Sequence, residues 1–97
     1  MKYMVQWEVV EEEKMSAHAG FGQMTAEEDI DQLGPNVKLI GRWHDLPSGT
    51  GVLILESDSI EDVTSYLYKW APVLNSTVTP VLDDEEVRRV IRANPTN

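Results

Sequence analysis

Arg42 and His44, one residue apart, are the side chains of this sequence best suited to chemistry. In an extended strand, alternation puts 42 and 44 on one face and Trp43 on the other. An imidazole titrates near neutrality and serves as a general acid or base, and a guanidinium orients anionic groups through its N–H fork. On the same alternation Gln6, Glu8 and Glu56 fall on the face of Arg42 and His44, opposite the packing face of the strands. Arg42, His44, Gln6, Glu8 and Glu56 are therefore the candidate ligand-binding set, with no catalytic residue assigned among them. The competing reading is structural: Arg42 pairs with Glu8 or Glu56 across the sheet, and His44 caps the strand end near Asp45 or bonds across a dimer seam.

A second candidate cavity lies between sheet and helices, where Tyr3, Trp7, Trp43, His18, Tyr66 and Trp70 could surround a flat organic molecule, with room left by Ala17, Gly20 and Gly22. Aromatic residues at such spacing also build ordinary cores. Two His and no Cys provide no zinc- or iron-type ligand spacing, so neither a metal site nor a cofactor is expected. The acidic run Asp83-Asp84-Glu85-Glu86 reads as a helix start. Gly49-Thr50-Gly51 is too short for a phosphate loop and precedes no helix, and no Ser or Thr has an evident paired base.

Seventeen acidic against eight basic residues give a formal charge of −9, a field that repels phosphate backbones and anionic lipid. Nucleic acid and membrane partners are not expected. Arg88, Arg89 and Arg92 fall on the last helical turns, where cations complement the helix dipole. No segment approaches the roughly 20 apolar residues of a membrane span. With no Cys and no leader-like pattern after Met1-Lys2, a cytoplasmic location is expected.

The 97 residues are expected to form one domain, 1–97, near the size at which a partner subunit helps stability. Residues 2–10 alternate Tyr3, Val5, Trp7 and Val9 against Lys2, Met4, Gln6 and Glu8, a strand with one apolar face. Glu11-Glu12-Glu13 opens a helical stretch carrying Ala17, Phe21 and Met24, with a bend near 22–25. Thr25 with Glu28 forms a capping box for a second piece with Ile30 and Leu33 on its apolar face, stopped at Gly34-Pro35.

The second strand covers 37–44, with Val37, Leu39, Gly41 and Trp43 on its packing face. A turn over 46–50 leads to a third strand, 52–56, apolar on both faces and so expected in mid-sheet. Asp58 with Glu61 is read as the next cap, opening a stripe of Ile60, Val63, Leu67, Trp70 and Leu74 that ends at Pro72. Strand four, 76–82, contains Pro80 and suits an edge. Asp83 with Glu86 caps a last helix, and 94–97 reads as a frayed end.

The order βαββαβ with a C-terminal helix is an α+β, ferredoxin-like sandwich with both main helices on one face of the sheet. Covering the other face most simply takes a second copy of the chain. The blocks Met1-Lys2-Tyr3-Met4-Val5, 34–45 (GPNVKLIGRWHD), 49–56 (GTGVLILE) and 78–86 (VTPVLDDEE) together resemble the uncharacterised DUF3303 family. The resemblance implies a subunit similar to those of dimeric α/β barrels and a homodimer, and carries over no established catalytic residues. The expected function is small-organic-molecule binding in a cavity of an acidic homodimer. A cofactor-independent monooxygenase-like or isomerase-like enzyme using His44, or a non-catalytic assembly module, are its alternatives.

Overall fold

A computed structural model describes residues 1–95. Strand β1 (Lys2–Val9) runs between β3 (Thr50–Glu56) and β4 (Leu74–Val81), and β2 (Lys38–Asp45) completes an antiparallel sheet of order β2-β3-β1-β4. This is the ferredoxin-like, split βαβ arrangement. The doubly apolar β3 lies inside the sheet, as its sequence requires, and Pro80 lies on edge strand β4, where its missing N–H costs no ladder bond.

One irregularity decides which residues face which layer. Leu39 stands opposite Leu55, but Gly41 stands opposite Ile54, so Ile40 is an extra residue in β2. A bulge of this kind shifts the strand's alternation by one. Beyond it Arg42 pairs with Leu53 and His44 with Gly51, on the face of buried Val5 and Leu53, while Trp43 pairs with Val52. The expectation that Arg42 and His44 lie opposite the packing face is thus overturned; they do share a face, and it is the helix-covered one. Trp43, expected to pack, is 58% exposed on the open face.

Helices α1 (Lys14–Gln23), α2 (Ala26–Leu33) and α3 (Ile60–Lys69) cover the packing face. A 3-10 turn, Glu11–Glu13, precedes α1, and α1 and α2 meet at the expected bend, with the Thr25–Glu28 capping box formed. Leu33 is buried, but Ile30 points to solvent; Asp29, four residues before Leu33, takes the inward position instead. Ser59, not Asp58, caps α3, accepting from the Asp62 N–H. That helix stops at Lys69, with Trp70 as its C-cap and Leu74 already in β4, so the apolar stripe divides between a helix, a turn and a strand.

The core is Tyr3, Val5, Leu33, Val37, Leu53, Leu55, Val63 and Tyr66, with Trp7, Leu39, Leu67, Trp70 and Val78 packed around it. Helix α4 (Asp84–Ala93) has the Asp83–Glu86 capping box but buries none of its residues, and its start is tied to β1 by Lys2 Nζ, 3.1 Å from Asp83. Of the tail expected to fray, Thr96 and Asn97 lie outside the described residues.

Gly51 lets two strands share one space. Trp7 on β1 and His44 on β2 flank it, and a Cβ there would overlap the Trp7 ring. Gly51→Ala is therefore expected to lose about 1 to 3 kcal/mol by forced repacking, read from urea unfolding midpoints, whereas an unchanged midpoint would mean that Trp7 is not held against this backbone.

Candidate functional site

A cavity of about 310 Å³ opens between the packing face of the sheet and the helices, toward the β2–β3 hairpin. Its walls include Trp7 from β1, Arg42 and His44 from β2, His18 and Phe21 from α1, Tyr66 from α3 and Trp70 after it. Ala17 and Gly22 keep the α1 side open. The hairpin at the mouth turns through Gly49, whose φ of 71° suits glycine.

Arg42 is fixed on three sides. Its Nη1 donates to Asp29 Oδ2 at 2.9 Å, and its Nη2 donates to Asp29 Oδ1 at 3.1 Å and to Tyr66 Oη at 2.8 Å. The forked pairing with a carboxylate is the strong geometry for a guanidinium. The Arg42 side chain is 11% exposed and that of Asp29 20%, so solvent screens the pair only partly. Burial opposes the Arg42 charge, but Asp29 and Tyr66 together outweigh it and hold the guanidinium above its ordinary pKa. Burial also pushes the Tyr66 phenol up, against the pull of the Arg42 cation, so Tyr66 stays protonated at neutral pH. The Phe21 ring lies 5.3 Å from the guanidinium carbon, within cation–π range.

His44 stands at the open end. Its outer edge meets solvent, while its ring is edge-on to Trp7 at 5.2 Å and tilted against Phe21 at 5.1 Å. Partial burial, then the Arg42 charge, then His18 lower its pKa below 6.5, leaving a neutral imidazole at pH 7. No described residue hydrogen-bonds its side chain. Trp70 packs against the core and against Phe21, and its Nε1 is buried without an acceptor.

The structure thus merges parts of the two expected constellations. Arg42 and His44 join Trp7, His18, Tyr66 and Trp70 in one cavity. Gln6 and Glu8 do not; they line a second, more open hollow on the open face with Trp43, and His44 and Trp7 border that hollow as well as the cavity. Glu56 lies at the far end of the sheet, 3.4 Å from Lys2 Nζ. Tyr3 is buried in the core. The Arg42 partners are Asp29 and Tyr66 rather than Gln6, Glu8 or Glu56. Asp29 was missed because α2 reads as an acidic surface helix, although its spacing to Leu33 put it on the inward face.

The chain belongs to the DUF3303 family, a domain of unknown function whose model matches residues 1–94. No curated protein matches it significantly in sequence. Among solved structures it is similar to the L-rhamnose mutarotase of Formosa agariphila, at 11% identity over 86% of this chain and 94% of that one, with a TM-score of 0.47. Among the described residues, no helix is long and apolar enough to cross a membrane.

Removing one partner of a mostly buried ion pair leaves the other uncompensated. Asp29→Ala is expected to lose about 2 to 4 kcal/mol, and adding Arg42→Leu to recover part of it, as measured by urea unfolding of the two variants. If the double variant is less stable than Asp29→Ala by the full cost of Arg42→Leu alone, the two side chains are not coupled.

The His44 shift sets a pH dependence. Because the folded-state pKa is below 6.5, the unfolded chain takes up the proton first as pH falls. The contribution of the neutral ring is complete above pH 6.5 and is lost as pH falls through the folded value. An NMR titration of His44 should give a midpoint below 6.5, and His44→Asn should flatten the stability curve in that window. A midpoint at or above 6.5 would contradict the assigned environment.

Proposed function

We propose that this chain is a single-domain, cytoplasmic homodimer that binds a small organic molecule in the cavity between the sheet and helices α1 to α3. The cavity carries the reading: about 310 Å³ lies at the small end of the range of ligand sites, its walls are mainly apolar with Trp7, Phe21, Tyr66 and Trp70 among them, and Arg42 is held in place there by Asp29 and Tyr66. A saturable change in Trp emission on adding one- and two-ring organic compounds is expected, since Trp7 and Trp70 are in the wall. Ala17→Leu, which places a larger side chain in the wall, should abolish it. A broad panel with no saturable binder at millimolar concentration would overturn the reading.

His44 supports a second, catalytic reading. A neutral imidazole without a protein hydrogen bond, facing a partly enclosed space, is suited to removing a proton from a bound molecule, as an isomerase-like or cofactor-independent oxygenase-like reaction requires. Turnover of a bound compound that fails in His44→Asn while binding persists would favour it.

Self-association rests on the open face of the sheet. Met4, Val52 and Ile54 lie there half-buried and Trp43 is exposed, an apolar set that a second copy would cover. A stable seam needs roughly 1,200 Å² in total. Light scattering at micromolar concentration should give twice the 11.0 kDa chain mass, and Trp43→Glu should give the monomer. A wild-type monomer would remove the dimer from the proposal.

A further inference from the structure

We propose that the cavity selects uncharged, flat aromatic molecules and rejects carboxylates and phosphates, because its one arginine is already paired inside the protein. This rests on the reading of the cavity as a ligand site and adds the chemical class of the ligand.

The usual inference from an arginine in a pocket is an anionic ligand, since a free guanidinium offers a forked donor and a full charge. Here the fork is filled. Both Nη atoms donate to the two oxygens of Asp29, at 2.9 and 3.1 Å, so the carboxylate of α2 already occupies the place a ligand carboxylate would take. Nη2 also donates to Tyr66, and Phe21 lies against the guanidinium. An incoming anion would meet a guanidinium whose charge Asp29 offsets in part, and would give up its own hydration for that weaker attraction.

The other charges by the cavity are mixed in sign. Asp45 lines the mouth, while Lys14, which is not among the lining residues, keeps its charge as its Nζ donates to the Pro47 carbonyl oxygen at 3.1 Å. His44 is neutral at pH 7, held so by burial, Arg42 and His18. The net charge of −9 opposes the approach of anions from a distance. What remains is an apolar space partly walled by aromatic rings, with neutral polar groups that hydrogen-bond: the imidazole of His44 and the hydroxyls of Thr50 and Ser76. Flat aromatic molecules with an amide, hydroxyl or carbonyl substituent fit that description.

The test uses isosteres that differ in charge. 2-Naphthamide and 2-naphthoate are titrated into the full chain at pH 7.5 by calorimetry, and again into Asp29→Asn, which removes the internal counter-charge and frees the arginine. Wild type is expected to bind the amide at least about tenfold more tightly than the carboxylate. Asp29→Asn should move that ratio at least about tenfold toward the carboxylate. Equal or tighter naphthoate binding by wild type overturns the charge selection while leaving the cavity as a site. Failure of both probes to bind at millimolar concentration overturns this inference, and the ligand site falls with it only if the broad panel also yields no binder. The wild-type comparison decides the matter even if Asp29→Asn does not fold.

Discussion

The extra residue Ile40 in β2 is the constraint on which the rest of the site depends. Without it, strict alternation would carry Leu39, Gly41 and Trp43 to the helices and send Arg42 and His44 to the open face. With it, Leu39 still packs at one end of the strand, while Arg42 and His44 turn inward at the other. An edge strand can accept such a bulge, since its outer backbone groups have no ladder partner to lose. The same inversion frees an exposed tryptophan on the far face, so the contents of both layers follow from one residue.

Turning an arginine into a packing layer creates an electrostatic cost that must be met nearby. Helix α2 meets it. Its capping box starts the helix at Thr25, and that register places Asp29 on the inward side with Leu33. Helix α3 adds the Tyr66 hydroxyl from the core side and, at its end, Lys69 Nζ donates to the Gln32 carbonyl oxygen at 2.7 Å, closing the α2 terminus. The short and strongly acidic α2 is thus fixed more by polar contacts than by apolar area. Helix α1, with only Ala17 buried, is held by less still, and it forms one wall of the cavity.

Much of the architecture was legible because it depends on patterns that neighbours cannot easily override. The period of β1, the doubly apolar β3, Pro80 on an edge strand, and the capping boxes at Thr25 and Asp83 each state a local preference that the fold satisfies. The site was read less well for a specific reason. Face assignments assume unbroken alternation, and β-branched Ile40 looks like any strand residue, so nothing in its type marks a bulge. The burial of β3 gave no help either, since both of its faces are apolar and either register of β2 would satisfy them. The end of α3 was misplaced on similar grounds: Trp70 and Leu74 continue a helical spacing, yet the chain turns between them.

The arrangement gives the chain's aromatic residues distinct tasks according to the backbone next to them. Trp7 can lie flat against the sheet only because Gly51 has no side chain, and that contact lets it reach His44 across β3. Trp43 folds over Gly41 in the same way on the opposite face, where it remains exposed. Each tryptophan therefore needs a glycine on its own side of the sheet, and the bulge decides which side that is for β2. A flat aromatic wall inside and a flat apolar patch outside arise from the same device used twice. The inner wall is enclosed by helices and carries polar groups of fixed geometry, which suits recognition of a small molecule. The outer patch is broad and shallow, which suits a second protein surface.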